Sequence, residues 1–451
     1  MTSAGRPPAA CPARAGAAQP RAGAAQPRAG AAQPLVDAAF PHEAYPSVVR
    51  RLAAAGPVHP VVLPGGLNAW LVTDRGAVCS LAVDPRLSLD LRRIPEPSGG
   101  VGHRRYPEDG GAGRGRHLLN TEGPDHHRLR HLTAPFLSST ALEQRRPMIE
   151  AAAEHALKAL ARCDPGDLVA QYAHPVASEV MSNLLGIPGH LRHPFTAATI
   201  GIGAPDHPDS EPMRAAERTH SELIRQMMEV RRNDPGDDLI TLLFDARAQE
   251  GRPTLLEIHA MIGLLFLAGT ETTSVLIAYG AARLIQHPPA LHALLRDDEH
   301  AKPVVEELLR HHPPLPTGAW RFTTEPVTVG DTTIPEGACV LLSFAAPGQD
   351  ADVYPHPDQL VPGRSNAPAH LSFGHGPHYC VGAHLARLEG LIALRALFHR
   401  YPSMELAAPL DSLTWSGSTV NRRLDTLPVT FGTGSTAGSS TAGTGRRETS
   451  V

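Results

Sequence analysis

Apolar side chains recur at helical spacing over residues 139–163, 176–186, 212–232, 254–287, 301–311 and 381–400, and helical patterning begins as early as Asp125. Strand-like runs are few. Val61-Val62-Leu63 leads through the turn signal Pro64-Gly65-Gly66 to Ala69–Val72, which predicts a strand pair over 60–73. Short strands are also predicted within 326–344, around the turn Gly330-Asp331. The expected fold is mainly α with small peripheral β-sheets. An irregular stretch rich in Pro, Asp and Gly fills 345–372, and a loop that long is functional or pinned by something.

The longest helical pattern has clear ends. Thr254 and Glu257 form a capping-box start, and Pro288-Pro289 mark its stop. Such a helix is roughly 50 Å long, enough to cross a domain. Its apolar run Ile258–Ala268 is too short to span a bilayer and passes directly into Thr270, Glu271, Thr272 and Thr273, so it reads as a buried helix. Gly269 at its centre costs about 1 kcal/mol relative to Ala. An acid and several hydroxyls in an otherwise apolar helix are costly too. Together they point to a kink or groove beside a ligand, with Ala268 and Gly269 against it.

The termini differ from the body. Residues 14–34 are three copies of Arg-Ala-Gly-Ala-Ala-Gln-Pro, with no side chains that could build a core, and 433–451 are rich in Gly, Ser and Thr. Residues 1–34 and 433–451 are expected to be disordered tails around a single folded unit, 35–432. Rival readings of the first tail are an Arg-rich targeting peptide and a mis-assigned start codon.

Composition narrows the class. The 451 residues carry 41 Lys+Arg and 45 Asp+Glu, a formal charge of -4, which argues against nucleic-acid binding. Aromatics are 4%, so Leu, Ala and Val must do most of the packing. Lys occurs only at 158 and 302 amid abundant Arg, Ala, Gly and Pro, a bias typical of GC-rich bacterial genomes. The five cysteines, Cys11, Cys79, Cys163, Cys339 and Cys380, contain no CxxC pair. They suggest neither zinc nor a disulfide framework. No apolar signal region is seen, and a reducing, cytoplasmic setting without membrane attachment is expected.

One cysteine stands in an unusual context, Phe373-Gly374-His375-Gly376-Pro377-His378-Tyr379-Cys380-Val381-Gly382, directly before a clear helix. A thiolate ligand to haem iron needs a lowered pKa, which a helix N-terminus and the iron provide. It needs backbone N–H groups aimed at sulfur, for which Gly374, Gly376 and Gly382 allow the turn. It also needs a dry apolar neighbour, for which Phe373 is suited. By itself Cys380 could equally be inert buried packing. The ten residues together, with Ala383-His384-Leu385-Ala386-Arg387-Leu388-Glu389 after them, resemble the cytochrome P-450 family in its bacterial soluble branch.

The resemblance implies the cytochrome P-450 fold, a haem b (iron protoporphyrin IX) cofactor held by iron at Cys380, and a monooxygenase. Such an enzyme inserts one atom of O2 into an organic substrate, by hydroxylation or epoxidation, here in bacterial secondary metabolism. It places Glu271 and Thr272 as the acid–alcohol pair that passes protons above the haem. His126, Arg130, Arg321 and His378 take the positions that bind the haem propionates, which need charge-assisted donors. Glu307 and Arg310, at i,i+3 on one helix face, become the pair that braces the stretch before the cysteine. The chain departs from the family there. Ala346-Pro347-Gly348-Gln349-Asp350 stands for the usual Ala-Asn-Arg-Asp, and Gln359-Leu360 for Arg-Phe. The bracing network is therefore incomplete, or Arg364 substitutes.

No flavin or iron–sulfur motif is present, so electrons must come from separate partners, a ferredoxin with its reductase. They would dock on the cysteine side near Arg128, Arg387 and Arg395. The substrate walls would come from 86–118, 186–215, Leu264–Ala268, Leu315–Ala319 and the region of Thr419 and Val420. These are largely small and aliphatic, which suits an apolar or macrocyclic small molecule bound by a monomer. Rival readings are oxidative coupling on the same machinery, a non-catalytic helper that keeps the fold, and a peroxide-using haem enzyme.

Overall fold

The computed structural model describes residues 33–34, 44–63, 67–93, 115–163, 165–202, 211–365, 369–417 and 422–432. The C-terminal tail and nearly all of the N-terminal repeat lie outside the described residues. The last two residues of the repeat, Gln33-Pro34, pair in parallel with Val61-Val62, so that repeat reaches into a sheet.

Along the chain run α1 (Ala44–Ala55), α2 (Arg75–Ala82), α3 (Gly123–Thr133), α4 (Ser139–Gln144), α5 (Arg146–Leu160), α6 (His174–Leu185) and α7 (Gly189–Ile202). They are followed by α8 (Glu211–Asn233), α9 (Leu239–Glu250), α10 (Leu255–Ile285), α11 (Pro288–Arg296), α12 (Asp298–His311) and α13 (Ala383–Arg400). The helix expected over 139–163 is broken at Arg145, which caps α4 and lies just before Pro147 in the first turn of α5. A proline is tolerated there because that N–H has no helical partner anyway. Likewise Pro288-Pro289 do stop α10, and they do so by opening α11.

The central element is α10. Its capping box is complete: Thr254 Oγ1 accepts from the Glu257 N–H at 3.1 Å, and Glu257 Oε2 accepts from the Thr254 N–H at 2.7 Å. By length and composition it could cross a bilayer, but most of its side chains are buried against the chain. Small residues bring its neighbours close. A Cβ at Gly269 would sit 2.4 Å from Met181 Sδ on α6, and one at Gly390 of α13 would sit 2.8 Å from Leu276 of α10. Gly269 thus answers to helix packing against α6, a cause the groove argument had not included.

The largest sheet has the order Gln33–Pro34, Val58–Leu63, Leu67–Val72, Cys339–Leu342, Arg321–Thr323, Leu87–Ser88. The expected hairpin pairs antiparallel from Val58↔Val72 to Leu63↔Leu67, and Val327–Val329 pairs with Thr332–Ile334 around Gly330 at φ +58°. Register Arg321↔Val340 fixes where Arg321 leaves the sheet.

Candidate active site

The cysteine loop is built by two left-handed glycines. Gly374 and Gly376 both have φ +75°, which a residue with a Cβ rarely adopts. Gly376 also passes so near α2 that a Cβ would lie 2.5 Å from Val83 Cγ1. The turn is closed by the Gly374 N–H to Leu371 O at 2.8 Å, Tyr379 N–H to Gly376 O at 3.0 Å and Cys380 N–H to Phe373 O at 2.9 Å. Cys380 follows as an exposed side chain three residues before α13. Burial nevertheless pushes its thiol above the ordinary value, and the Gly382 N–H, Arg130 and Arg387 offset this only in part. A sulfur both open and desolvated sits at the bottom of a recess. The lowering expected from a helix N-terminus and iron together is not supplied by the chain's own groups. A bound cation would have to supply the rest.

Around this loop four basic side chains converge. Arg130 of α3 donates from Nη1 to Tyr379 O at 2.8 Å, next to the cysteine. His126, one turn earlier and 2% exposed, lies 4.3 Å from the His378 ring, centroid to centroid. Burial pushes His126 down to about 4, with help from Arg130 and His127. Burial pushes His378 down to about 3, aided by His126, Arg321 and Arg130. Arg321, 9% exposed, is lowered by burial as well, although Glu122 raises it. Glu122 itself is spoken for, accepting from Ser88 Oγ and the Leu89 N–H at 2.8 Å each and from Arg93 at 2.5 Å. Among the described residues no carboxylate hydrogen-bonds to any of the four.

On α10 the side chains of Leu264, Leu267, Ala268 and Thr272 are not buried, unlike most of that helix. Thr272 Oγ1 donates to Ala268 O at 2.6 Å, which commits its proton and leaves its oxygen free to accept. Glu271, the residue before it, is 4% exposed. Arg423 Nη1 donates to its Oε2 at 2.7 Å, and His174 Nε2 stands 3.9 Å from its Oε1. Neither partner was visible in the sequence, since Arg423 is 152 residues away. Of the walls expected for a substrate, residues 94–114, 203–210, Thr419 and Val420 lie outside the described residues.

Behind the loop, Phe373 packs under the Arg387 guanidinium, 4.4 Å from Cζ to ring centroid. Arg387 is held by Glu306 through Nε–Oε1 at 2.6 Å and Nη2–Oε2 at 2.9 Å. Burial raises the Glu306 carboxyl, but His370 and Arg387 more than offset it and bring it to about 2. Arg128 bonds to Glu257 at 2.6 Å, and Arg395 to Asp298. All three arginines expected to attract an acidic partner are thus already paired within the chain, because neighbouring helices present carboxylates to them: α10 to Arg128, and α12 to Arg387 and Arg395.

The brace is present and larger than a pair. Glu307 accepts from Arg310 Nε at 2.8 Å and Nη2 at 2.9 Å, from Arg364 Nε at 2.9 Å and from the Val361 N–H at 2.8 Å. Arg364 therefore occupies the third place that the altered motif had left open. Gln349 is not idle either, donating to His311 O at the end of α12 at 3.1 Å.

One buried acid went unnoticed in the sequence, although its setting Leu388-Glu389-Gly390-Leu391-Ile392 offered a signal. Glu389 of α13 is 0% exposed, neither oxygen has a hydrogen-bond partner among the described residues, and burial raises its carboxyl to about 8 from an ordinary 4.5. A raised carboxyl stabilises the fold fully below the unfolded value. The contribution is lost as pH rises from 4.5 through about 8. Glu389→Gln removes that titration. We expect the stability of the variant relative to wild type to rise by a few kcal/mol between pH 5 and pH 8.5, on the order set by 1.36 kcal/mol per unit. Urea unfolding at a series of pH values measures it, and a pH-independent difference refutes it.

These observations define a mainly helical protein with a recessed cysteine facing a basic cluster, and known proteins match it. The family model for cytochrome P-450 matches residues 208–426. Cytochrome P-450 107B1 of Saccharopolyspora erythraea is 35% identical over 378 residues, covering 83% of this chain and 92% of that one. The cytochrome P-450 monooxygenase PikC of Streptomyces venezuelae is 34% identical, covering 88% and 94%. The solved structure of the monooxygenase TamI with tirandamycin C bound superposes with a TM-score of 0.78 at 35% identity, covering 88% of this chain and 99% of that one. The chain belongs to the cytochrome P-450 family. It is a haem-dependent monooxygenase of the bacterial soluble type, and one relative, PksS of Bacillus subtilis, is named for polyketide biosynthesis.

Proposed function

We propose that Cys380 would ligate the iron of a haem b, that His126, Arg130, Arg321 and His378 would hold its two propionates, and that Glu271 and Thr272 would deliver protons to the reaction. The observation that carries this reading is the basic cluster. Two imidazoles and two guanidiniums, mostly desolvated and without a bonded carboxylate, are unfavourable as they stand and become favourable with two anionic groups among them. The open, desolvated sulfur beside them fits a metal ligand in the same way. Bound there, the haem would supply an iron for dioxygen chemistry, and Cys380 would donate electron density to it.

The chain's own residues do the rest. The cysteine loop fixes the sulfur through Phe373 O, Gly376 O and the Gly382 N–H. Ala268, exposed on α10, would give that helix a low profile beside the haem, while Gly269 makes room for Met181 of α6. The Thr272 oxygen accepts a hydrogen bond from a water, while Glu271 exchanges a proton with it. Leu264 and Leu267 present an apolar wall, which suits an apolar or macrocyclic substrate in natural-product tailoring, and the relative PksS of Bacillus subtilis is named for polyketide biosynthesis. Electrons come from a ferredoxin and its reductase in the cytoplasm, and the enzyme works as a monomer. Docking near Arg128, Arg387 and Arg395 must compete with Glu257, Glu306 and Asp298, so charge reversal at these arginines will alter stability as well as reduction rate.

The test is the absorption spectrum of the purified, haem-loaded protein after reduction under carbon monoxide. The long-wavelength Soret band of a thiolate-ligated haem is expected. A folded, haem-loaded protein that lacks the band would sink the assignment of Cys380.

A further inference from the structure

Glu271 lies between two cations that reach it from distant parts of the chain. Arg423, on the strand Arg422–Leu424, holds Oε2 at 2.7 Å, and His174, the first residue of α6, stands 3.9 Å from Oε1. The carboxylate keeps 5% of its side-chain surface, whereas His174 keeps 19% and Arg423 22%. The acid is thus shut in, while His174 and Arg423 beside it reach outward.

The two cations cannot play the same part. A guanidinium stays protonated at any working pH, so Arg423 can fix the carboxylate and cancel its charge but cannot give it a proton. An imidazole can take a proton from water and hand it on. Charge balance is already met by Arg423 at hydrogen-bond distance, so a second cation beside Oε1 is surplus to it. The gap of 3.9 Å exceeds a hydrogen bond by about 1 Å, within ordinary side-chain motion.

We propose that His174 supplies protons to Glu271, acting through that carboxylate on the reaction above the haem; this rests on the reading of Glu271 and Thr272 given above. In the step, the Nε2–H bond of the imidazolium breaks and an Oε1–H bond forms, leaving a neutral imidazole and a carboxylic acid. Glu271 then gives its proton toward the water held by Thr272 and returns to carboxylate. His174 takes a fresh proton from solvent at its exposed edge, and no electrons move. The groups that act on His174 are Glu271 from α10 and Arg423 from the strand. Burial lowers the imidazole, Glu271 raises it and Arg423 lowers it further.

Two measurements on the holoenzyme test the assignment. The first is carbon-13 histidine NMR of the reduced, carbon-monoxide-bound protein, which is diamagnetic, with the His174 signal assigned by its loss in His174→Gln. Its titration is expected to move to lower pH in Glu271→Gln; an unmoved titration overturns the coupling. The second uses 7-ethoxycoumarin as probe, with electrons from a surrogate ferredoxin and reductase, and compares oxidation driven by dioxygen with oxidation driven by hydrogen peroxide, which brings its own protons. In His174→Gln the ratio of the dioxygen-driven to the peroxide-driven rate is expected to fall at least tenfold. A ratio unchanged from wild type, including one where both rates drop together, assigns His174 a purely structural role and overturns the proposal. If Glu271→Gln itself leaves the ratio intact, the acid–alcohol reading is what fails.

Discussion

Cys380→Ser is expected to abolish the thiolate Soret band and dioxygen-driven turnover while leaving a folded protein that still binds haem. Each part has a separate cause. The loop does not depend on sulfur: its shape comes from Gly374 and Gly376 at φ +75° and from backbone bonds such as Cys380 N–H to Phe373 O at 2.9 Å, all of which serine keeps. Haem retention rests on the cluster of His126, Arg130, Arg321 and His378, which the substitution does not touch. What is lost is the donor. A hydroxyl in a recess where burial already raises the thiol is harder to ionise than the thiol, so the ligand becomes neutral and weak. Absorption spectra of reduced, carbon-monoxide-bound variant and wild type decide the matter, with circular dichroism as the control for folding. An unchanged Soret band in the variant would falsify the ligand assignment.

The features legible in the sequence were those written in short-range spacing. The capping box Thr254/Glu257, the pair Glu307/Arg310 and the run from Phe373 to Gly382 each declare themselves within ten residues, and the structure forms the box, the pair and the turn. The helix α7 was less legible because Pro194 lies inside it, and α4 and α5 merged into one pattern because nothing in apolar periodicity marks a one-residue break at Arg145. Interactions set by packing were not legible at all. Arg423 meets Glu271 across 152 residues, Arg387 meets Glu306 across 81, and Glu389 gains its high pKa from the neighbours that surround α13. The docking arginines show the same limit: as sequence they look like free positive charge, and only the fold reveals their carboxylates.

Glu307→Ala is expected to be the most destabilising single change near the site, although Glu307 touches no reacting group. Its carboxylate is the common acceptor for Arg310, Arg364 and the Val361 N–H. Arg310, 2% exposed, spends its remaining donors on Gly348 O, Pro357 O and Gln359 O, and so pins the first half of the irregular stretch to α12. Removing the carboxylate leaves two guanidiniums facing each other with no counter-charge. Breaking a buried pair in this way costs about 3–5 kcal/mol, against at most about 1 kcal/mol for an exposed one.

Arg364→Ala should cost less, since Arg310 keeps its bidentate bond to Glu307. The pH dependence has a definite sign. Burial raises the Glu307 carboxyl, but Arg310, the Val361 N–H and Arg364 bring it below its ordinary 4.5. Its contribution is therefore full above 4.5 and is lost as pH falls through the lower folded value. Wild type and Glu307→Ala should differ most near neutrality and converge in acid. Urea unfolding of the two proteins at pH 7 and pH 3 measures this. Equal stability at pH 7 would mean that the stretch before the cysteine is held by something other than Glu307, and convergence in acid would tie its hold to that one carboxylate.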